Sequence, residues 1–327
     1  MSSRPAPDRI SLVIPCYNEA AGLPALFESV ARVAETWGCA WEVILVDDGS
    51  TDQTWELLQA QHQRDPRWRA LSLARNFGHQ TAISAGLFHA VGQAVVIMDA
   101  DLQDPPELIA DFIGKWREGG DVVYGIRAKR KENAIKRAAY WLFYRLIQRL
   151  SPVRIPVDAG DFCLMDRRVV DILKQMPERN RFVRGMRAWI GFRQCGVVYD
   201  RPARSVGAVK YTFSKLAALA LDGIFSSSAL PLRFASYIGM WVSALALFGI
   251  VFTFFQRVFS SFFARFGLAP VPGFATIVIS VLFLGGVQLL CIGILGEYLG
   301  RIYDEVKRRP AWIVRTALGV ETQPPPN

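Results

Sequence analysis

The sequence predicts an α/β fold with a mostly parallel sheet, followed by a membrane segment, and three observations carry that prediction. Between Ile10 and Gly125, short β-rich apolar runs alternate with stretches of helical periodicity, the order expected of right-handed crossovers onto parallel strands. Several of those runs end in aspartates, which puts polar groups where open α/β sheets bind ligands. Apolar residues then crowd beyond position 230 in a chain of 327 residues that is 51% hydrophobic, enough to bury a substantial core.

Ile10 to Pro15 is a short apolar run stopped by proline, as a buried parallel strand would be. A polar loop, Cys16 to Glu19, leads into Ala20 to Trp37, where Leu23, Leu26, Phe27, Val30 and Val33 recur at helical intervals. Trp41 to Val46 reads as a second strand, ending in Asp47, Asp48, Gly49, Ser50, Thr51 and Asp52, and Asp52 suits a helix cap. Ala70 to Ala74 reads as a third. The ARNFGHQ stretch after it opens a helix through His89, with His79 expected to be a structural polar group of that loop. The region holds neither G-x-G-x-x-G nor G-x-x-x-x-G-K-[ST], which argues against a dinucleotide fingerprint or a P-loop.

The central stretch is Val95 to Glu107, VVIMDADLQDPPE. Asp99 and Asp101 are two apart, so in extended chain both point to one side. Paired hard oxygen donors at a strand end suit Mg²⁺ or Mn²⁺ completed by substrate phosphates. Read alone, Asp-Ala-Asp is merely an acidic turn before Pro105 and Pro106, since an isolated D-x-D is a common false positive. Asp121 to Gly125 is a further strand. Behind it, Arg127 to Arg137 is basic, and the segment continues with Arg137, Arg145 and Arg149 on one helical face and Tyr140, Phe143, Tyr144, Ile147 and Leu150 mostly on another. That pattern predicts a helix lying in the bilayer interface over residues 134–150, and a second is expected over 212–229. Asp158 and Asp161 form another acidic cluster.

The formal charge of +9 would allow nucleic-acid binding, but no zinc-finger spacing or aromatic RNA-binding motif accompanies it, and a membrane surface is favoured. Five cysteines without a C-x-x-C pair indicate neither a disulfide framework nor a zinc site. The apolar run after Met1 to Arg9 is too short for a signal peptide or anchor. Two apolar runs, 232–255 and 274–296, are each long enough for a ~30 Å hydrocarbon core and predict a transmembrane hairpin. Arg301, Lys307, Arg308 and Arg309 follow it, so both ends face the cytoplasm. The expected organisation is a cytosolic catalytic domain (1–230), the hairpin (231–300) and a basic tail (301–327), Pro-rich and disordered after Glu321.

Taken together, VIPCYNEA, VDDGSTD, ARNFGHQTA, MDADLQDPPELI, DAGDFCLMDRR, PERNRFVRGM and GAVKYTFSK resemble the family 2 glycosyltransferases of the GT-A, Rossmann-like fold, specifically those acting on polyprenyl phosphates. The resemblance runs from Ile10 into the membrane segment. It implies that Pro15, Tyr17 and Glu19 surround a nucleotide base, although Tyr17 alone would also read as packing. Asp47 or Asp48 would accept bonds from base or ribose, Asp99 would lie near ribose and metal, and Asp101 and Gln103 would lie at the metal and diphosphate. It further implies acceptor-phosphate contacts from Arg127 and Arg137, and a loop carrying Arg201, Arg204, Lys210 and Tyr211 that closes over the diphosphate. One of Asp158 and Asp161 would be the pocket acid, and spacing does not say which.

The implied reaction is metal-dependent, inverting transfer of a hexose, glucose from UDP-glucose first, to undecaprenyl phosphate at a bacterial inner membrane, and the resemblance alone also suggests a homo-oligomer. Other UDP-sugars, UDP-GlcNAc among them, and GDP-mannose are alternatives. A processive polysaccharide synthase would carry Q-x-x-R-W, which is absent, and a scaffold without turnover would not need the retained aspartates.

Overall fold

In the first apolar run, successive side chains leave the backbone toward opposite faces, and both faces are covered. Leu12 and Ile14 point to one layer, where they join Leu23, Leu26 and Val30, together with Ile109 and Phe112. Val13 points to the other, with Ala82, Ile83 and Ala85, and Val169, Val170 and Leu173. An apolar run without alternation is therefore the central strand of a three-layer α/β core. The computed structural model describes residues 4–127, 159–179, 181–200, 230–266 and 273–321.

The described strands are β1 (Arg9–Cys16), β2 (Ala40–Asp47), β3 (Trp68–Leu73), β4 (Ala94–Ile97), β5 (Val122–Arg127), β6 (Ala159–Asp166), β7 (Gln194–Tyr199) and β8 (Val314–Leu318). They form one sheet in the order β7-β5-β6-β4-β1-β2-β3-β8. Pairs β4-β1, β1-β2, β2-β3 and β5-β7 are parallel, whereas β4-β6, β5-β6 and β3-β8 are antiparallel. The expected mostly parallel, GT-A-like sheet is thus present, with antiparallel strands mixed in.

The helices of this sheet domain are α1 (Leu23–Ala34), α2 (Thr54–Arg64), α3 (His79–His89), α4 (Ile109–Arg117), α5 (Arg167–Gln175) and α6 (Val183–Trp189). The helix expected over 20–37 is shorter: Pro24 sits in its first turn, where a missing N–H costs nothing, and a 3₁₀ turn at Glu35–Trp37 ends it at Gly38, φ 68°. Helix α3 approaches β1 so closely that a Cβ on Gly86 would overlap Val13.

The chain divides into two units, residues 1–212 with 308–327, and residues 213–307. This amends the reading of 301–327 as a tail, because Val314–Leu318 is an edge strand on β3, and Trp312 is buried against Phe88. The second unit contains α7 (Leu230–Val258), α8 (Ser260–Arg265) and α9 (Phe274–Val306). Helices α7 and α9 contact each other, the Cys291 thiol donating to the Ala235 carbonyl.

Among the described residues one helix, Phe283–Val306, is long and apolar enough to cross a membrane. The second span of the expected pair is not shown. In α7, a helix of 29 residues, the apolar stretch found among the described residues is Tyr237–Gly249. The proposed interfacial helices at 134–150 and 212–229 lie outside the described residues.

Candidate active site

The site is built at the ends where β1, β2 and β4 finish, and two loops frame it. After β1, Asn18 turns the chain with φ 54°, and its side-chain oxygen accepts from the Thr51 N–H at 2.8 Å. The Asn18 N–H donates to Ser50 Oγ, the Glu19 N–H to Thr54 Oγ1 and the Ala20 N–H to Asp52 Oδ2. Asp52 also accepts from the Thr54 N–H at the first residue of α2, one position before the N-cap residue Gln53. Tyr17, carried by this laced pair of loops just beyond Pro15, stands 46% exposed and is therefore not core packing.

The two aspartates ending β2 are buried and already bonded by the protein. Asp47 accepts from the Ser50 N–H and from Ser72 Oγ, closing the turn. Asp48 accepts from the Phe77 and Gly78 N–H groups at 2.7 and 2.9 Å, so it holds the loop that launches α3. Burial pushes its carboxyl up, against the pull of those two bonds. Gly49, with φ +71°, is needed here, because a Cβ would meet the Arg75 and Asn76 backbone at 2.5–2.9 Å.

Beyond β4, a second set of acids gathers. Parity along β4 places Val95 and Ile97 toward the α3 layer, and Asp99 continues that face. Strand β6 runs antiparallel beside it with Ile97 opposite Cys163, so the same register extended by two residues sets Asp99 opposite Asp161. His79, first residue of α3, reaches both: its Nε2 lies 3.5 Å from Asp99 Oδ1 and 3.9 Å from Asp161 Oδ2. Gln80 donates to Asp161 at 3.1 Å, and Arg184 of α6 lies 3.4 Å from its other oxygen. Asp101 accepts from the Gln103 N–H across Leu102, φ 54°, and Asp104 accepts from Tyr199 Oη at 2.6 Å.

Burial raises the Asp99 carboxyl to about 6, with Asp104, Asp161 and Asp101 adding to the rise and His79 opposing it. Asp99 Oδ1 is buried with no hydrogen-bond partner. Crowded carboxylates with an unsatisfied hard oxygen are a setting that a divalent cation relieves. No group of three or more His, Cys, Asp or Glu side chains poised to hold a metal is found among the described residues. The carboxylates present, Asp99 and Asp101, fit an ion held by one or two carboxylates and completed by substrate phosphate.

Of the expected site residues, Pro15, Tyr17, Glu19, Asp47, Asp48, Asp99, Asp101, Gln103 and Asp161 lie on the loops and strand ends just described. Arg127 ends β5, and Asp158, Arg137, Arg204 and Lys210 lie outside the described residues. His79, Gln80, Asp104, Arg184 and Tyr199 are additions that sequence reading did not assign. The ARNFGHQ stretch held a signal for two of them, a His-Gln pair at the mouth of a helix following a strand.

Residues 11–173 match the family model described as Glycosyl transferase family 2. The chain is 44% identical over 316 residues to an uncharacterised glycosyltransferase of Synechocystis sp., covering 96% of this chain and 97% of that one. It is 41% identical over 309 residues to a prophage-derived bactoprenol glucosyl transferase of Shigella flexneri, covering 94% and 97%. To a prophage bactoprenol glucosyl transferase homolog of Escherichia coli it is 40% identical over 308 residues, covering 94% and 98%.

Proposed function

This chain belongs to glycosyl transferase family 2 and is a glycosyltransferase, and we propose that it transfers glucose from UDP-glucose to the phosphate of undecaprenyl phosphate with inversion at the anomeric carbon. The observation that carries the acceptor and the sugar is the 41% identity, over 94% of the chain, to a protein named as a bactoprenol glucosyl transferase.

In the reaction, a phosphate oxygen of the acceptor forms a bond to the anomeric carbon while the bond from that carbon to the UDP oxygen breaks, and UDP leaves with the electron pair. A phosphomonoester is largely ionised at neutral pH, so the nucleophile needs no strong general base. The chain's task is then to bind and orient. Pro15, Tyr17, Glu19, Asp47 and Asp48 frame the nucleotide, with Arg204 and Lys210 closing over the diphosphate. Asp161, taken from the open pair Asp158 and Asp161, turns toward the sugar hydroxyls and steadies positive charge developing at the anomeric carbon. Arg127 and Arg137 hold the acceptor phosphate through planar forks of donors. Asp99 and Asp101 would hold Mg²⁺ or Mn²⁺, which supplies charge neutralisation for the departing diphosphate.

Two passes through the membrane by α7 and α9, with the sheet domain in the cytoplasm, belong to the same proposal. Leu289, Leu299 and Val306 stand 66–72% exposed on α9, a surface that lipid would cover. The test is transfer of radiolabel from UDP-glucose into an organic-extractable lipid by the purified chain, with EDTA as control and a panel of other donors alongside. Label that stays water-soluble overturns the acceptor, preference for another donor overturns the sugar, and full rate in EDTA overturns the metal.

A further inference from the structure

Two side chains that form an ion pair, Asp161 and Arg184, leave one acceptor and one donor without a hydrogen bond. Gln80 fixes the carboxylate from one side: its Nε2 donates to Asp161 Oδ2 at 3.1 Å while its Oε1 accepts from the Val183 N–H at 3.0 Å. One amide thereby ties β6, α3 and α6 together and sets its own orientation, since only its oxygen can face an N–H. The next residue on α6, Arg184, places Nη2 3.4 Å from Asp161 Oδ1, an ion pair without hydrogen-bond geometry. Arg184 Nε is buried with no hydrogen-bond partner, and so is Asp161 Oδ1.

The arginine three positions earlier behaves differently. Arg181 spends its donors on Ser84 Oγ and the Met176 and Leu173 carbonyls, and so locks the end of α5. A buried donor and a buried acceptor left unmatched are destabilising, and a native fold keeps few of them. The pair left here, an N–H and a carboxylate oxygen on ion-paired side chains, suits a group that accepts from the first and donates to the second, as a sugar hydroxyl does.

We propose that Arg184 and Asp161, held in place by Gln80, form a subsite for a hydroxyl of the donor's hexose, so that Arg184 is a sugar-recognition residue. The inference rests on the reading of the chain as a UDP-hexose transferase with Asp161 at the sugar. It adds the arginine, the ligand group and the positioning role of Gln80.

The test is calorimetric titration of the full-length chain in detergent with UDP and, separately, with UDP-glucose. Arg184→Gln and Asp161→Asn should each weaken UDP-glucose ~10-fold while changing UDP less than ~2-fold, the scale of one hydrogen bond to a charged group. The double variant should be little weaker than either single, because both groups serve the same hydroxyl. Gln80→Leu should show a smaller loss with the same selectivity.

Arg184→Lys guards against a folding defect, since it keeps the charge but lacks Nε. It should melt like wild type and still lose UDP-glucose affinity ~3-fold or more. Equal weakening of UDP and UDP-glucose, full multiplication of the two single effects, or an unaffected Arg184→Lys would each overturn the subsite. If Arg184→Gln weakens UDP-glucose while Asp161→Asn does not, the role of Asp161 fails and the pair with it. If the wild-type chain binds UDP but gains or loses nothing from the glucose in any variant, the donor reading is what fails.

Discussion

Buried acids lie at both ends of the parallel strands, and Asp166 at one end is treated in the opposite way to Asp99 at the other. At the end where the parallel strands begin, every acid faces a cation or a donor. Asp166 caps α5, accepts from Trp116 Nε1 and pairs with Arg168 and Arg4. Asp121 meets Arg4 and Arg168, and Glu42 accepts from Ser11 and the Val91 N–H while pairing with Arg69 at 2.8 Å. Burial alone would raise the Asp166 carboxyl, but the bonds from Arg168 and Trp116 hold it below its usual range.

At the opposite end, where Asp47 and Asp48 are bonded by the protein and Asp161 has Arg184 beside it, Asp99 lies among Asp101, Asp104 and Asp161 with His79 3.5 Å away, and burial pushes its carboxyl up to about 6. A paired buried charge ties elements together, whereas a crowd of like charges keeps a cost in the apo protein that a ligand removes. The difference separates scaffold from site without reference to any relative.

The sharpest way to break this comparison is Asp99→Asn. It should lower turnover by on the order of 1,000-fold, the scale of losing a principal electrostatic group, while leaving the metal-free melting temperature unchanged or higher. A drop in both would put Asp99 with the scaffold. The mirror experiment is Asp166→Ala. It should cost about 2–3 kcal/mol in denaturant unfolding, less than a fully buried pair because Arg168 is 60% exposed, with specific activity of the folded fraction retained.

A third measurement follows stability against pH in EDTA. The folded-state carboxyl of Asp99 is raised, so between pH ~4 and ~6 the folded chain holds a proton that the unfolded chain releases, and its contribution to stability falls as pH rises. The Asp99→Asn variant should therefore gain on wild type across that window and then level off. Asp166 is depressed, so its contribution is present above pH ~4 and lost as pH falls through the folded value. Asp166→Ala should thus cost most at neutral pH and little in acid, and parallel curves for the two variants would erase the contrast.

The smallest effect is expected away from both ends. The Arg32–Glu107 pair is 3.7 Å apart with both side chains at least 60% exposed, and Glu107→Gln should shift unfolding by less than ~0.5 kcal/mol.

Much of the scaffold was legible because its information is local. The apolar runs at Ile10, Trp41 and Val95 and the helical periodicity from Leu23 each declare themselves within about ten residues. The Asp99-Ala-Asp101 pair was visible for the same reason, as a short acidic motif after an apolar run, although the strand ends at Ile97 and Asp101 stands in the turn beyond it. The family resemblance lay in motifs of that same short range, and the match of residues 11–173 agrees with it.

What only the tertiary structure decided is which distant segments meet. No local pattern announces that β6 pairs antiparallel with β4 in the register that sets Asp161 opposite Asp99, because that register joins segments some sixty residues apart and depends on packing of both faces. His79 was read as a loop residue and lies between two carboxylates only because Asp48 holds the Phe77-Gly78 turn in place. Arg184 stands in the PERNRFVRGM motif with no role assigned to it by sequence, and α6 brings it to Asp161. Val314–Leu318 reads as part of a tail, yet it completes the sheet, since an unpaired edge at β3 offers backbone hydrogen bonds that only a strand returning from far along the chain supplies.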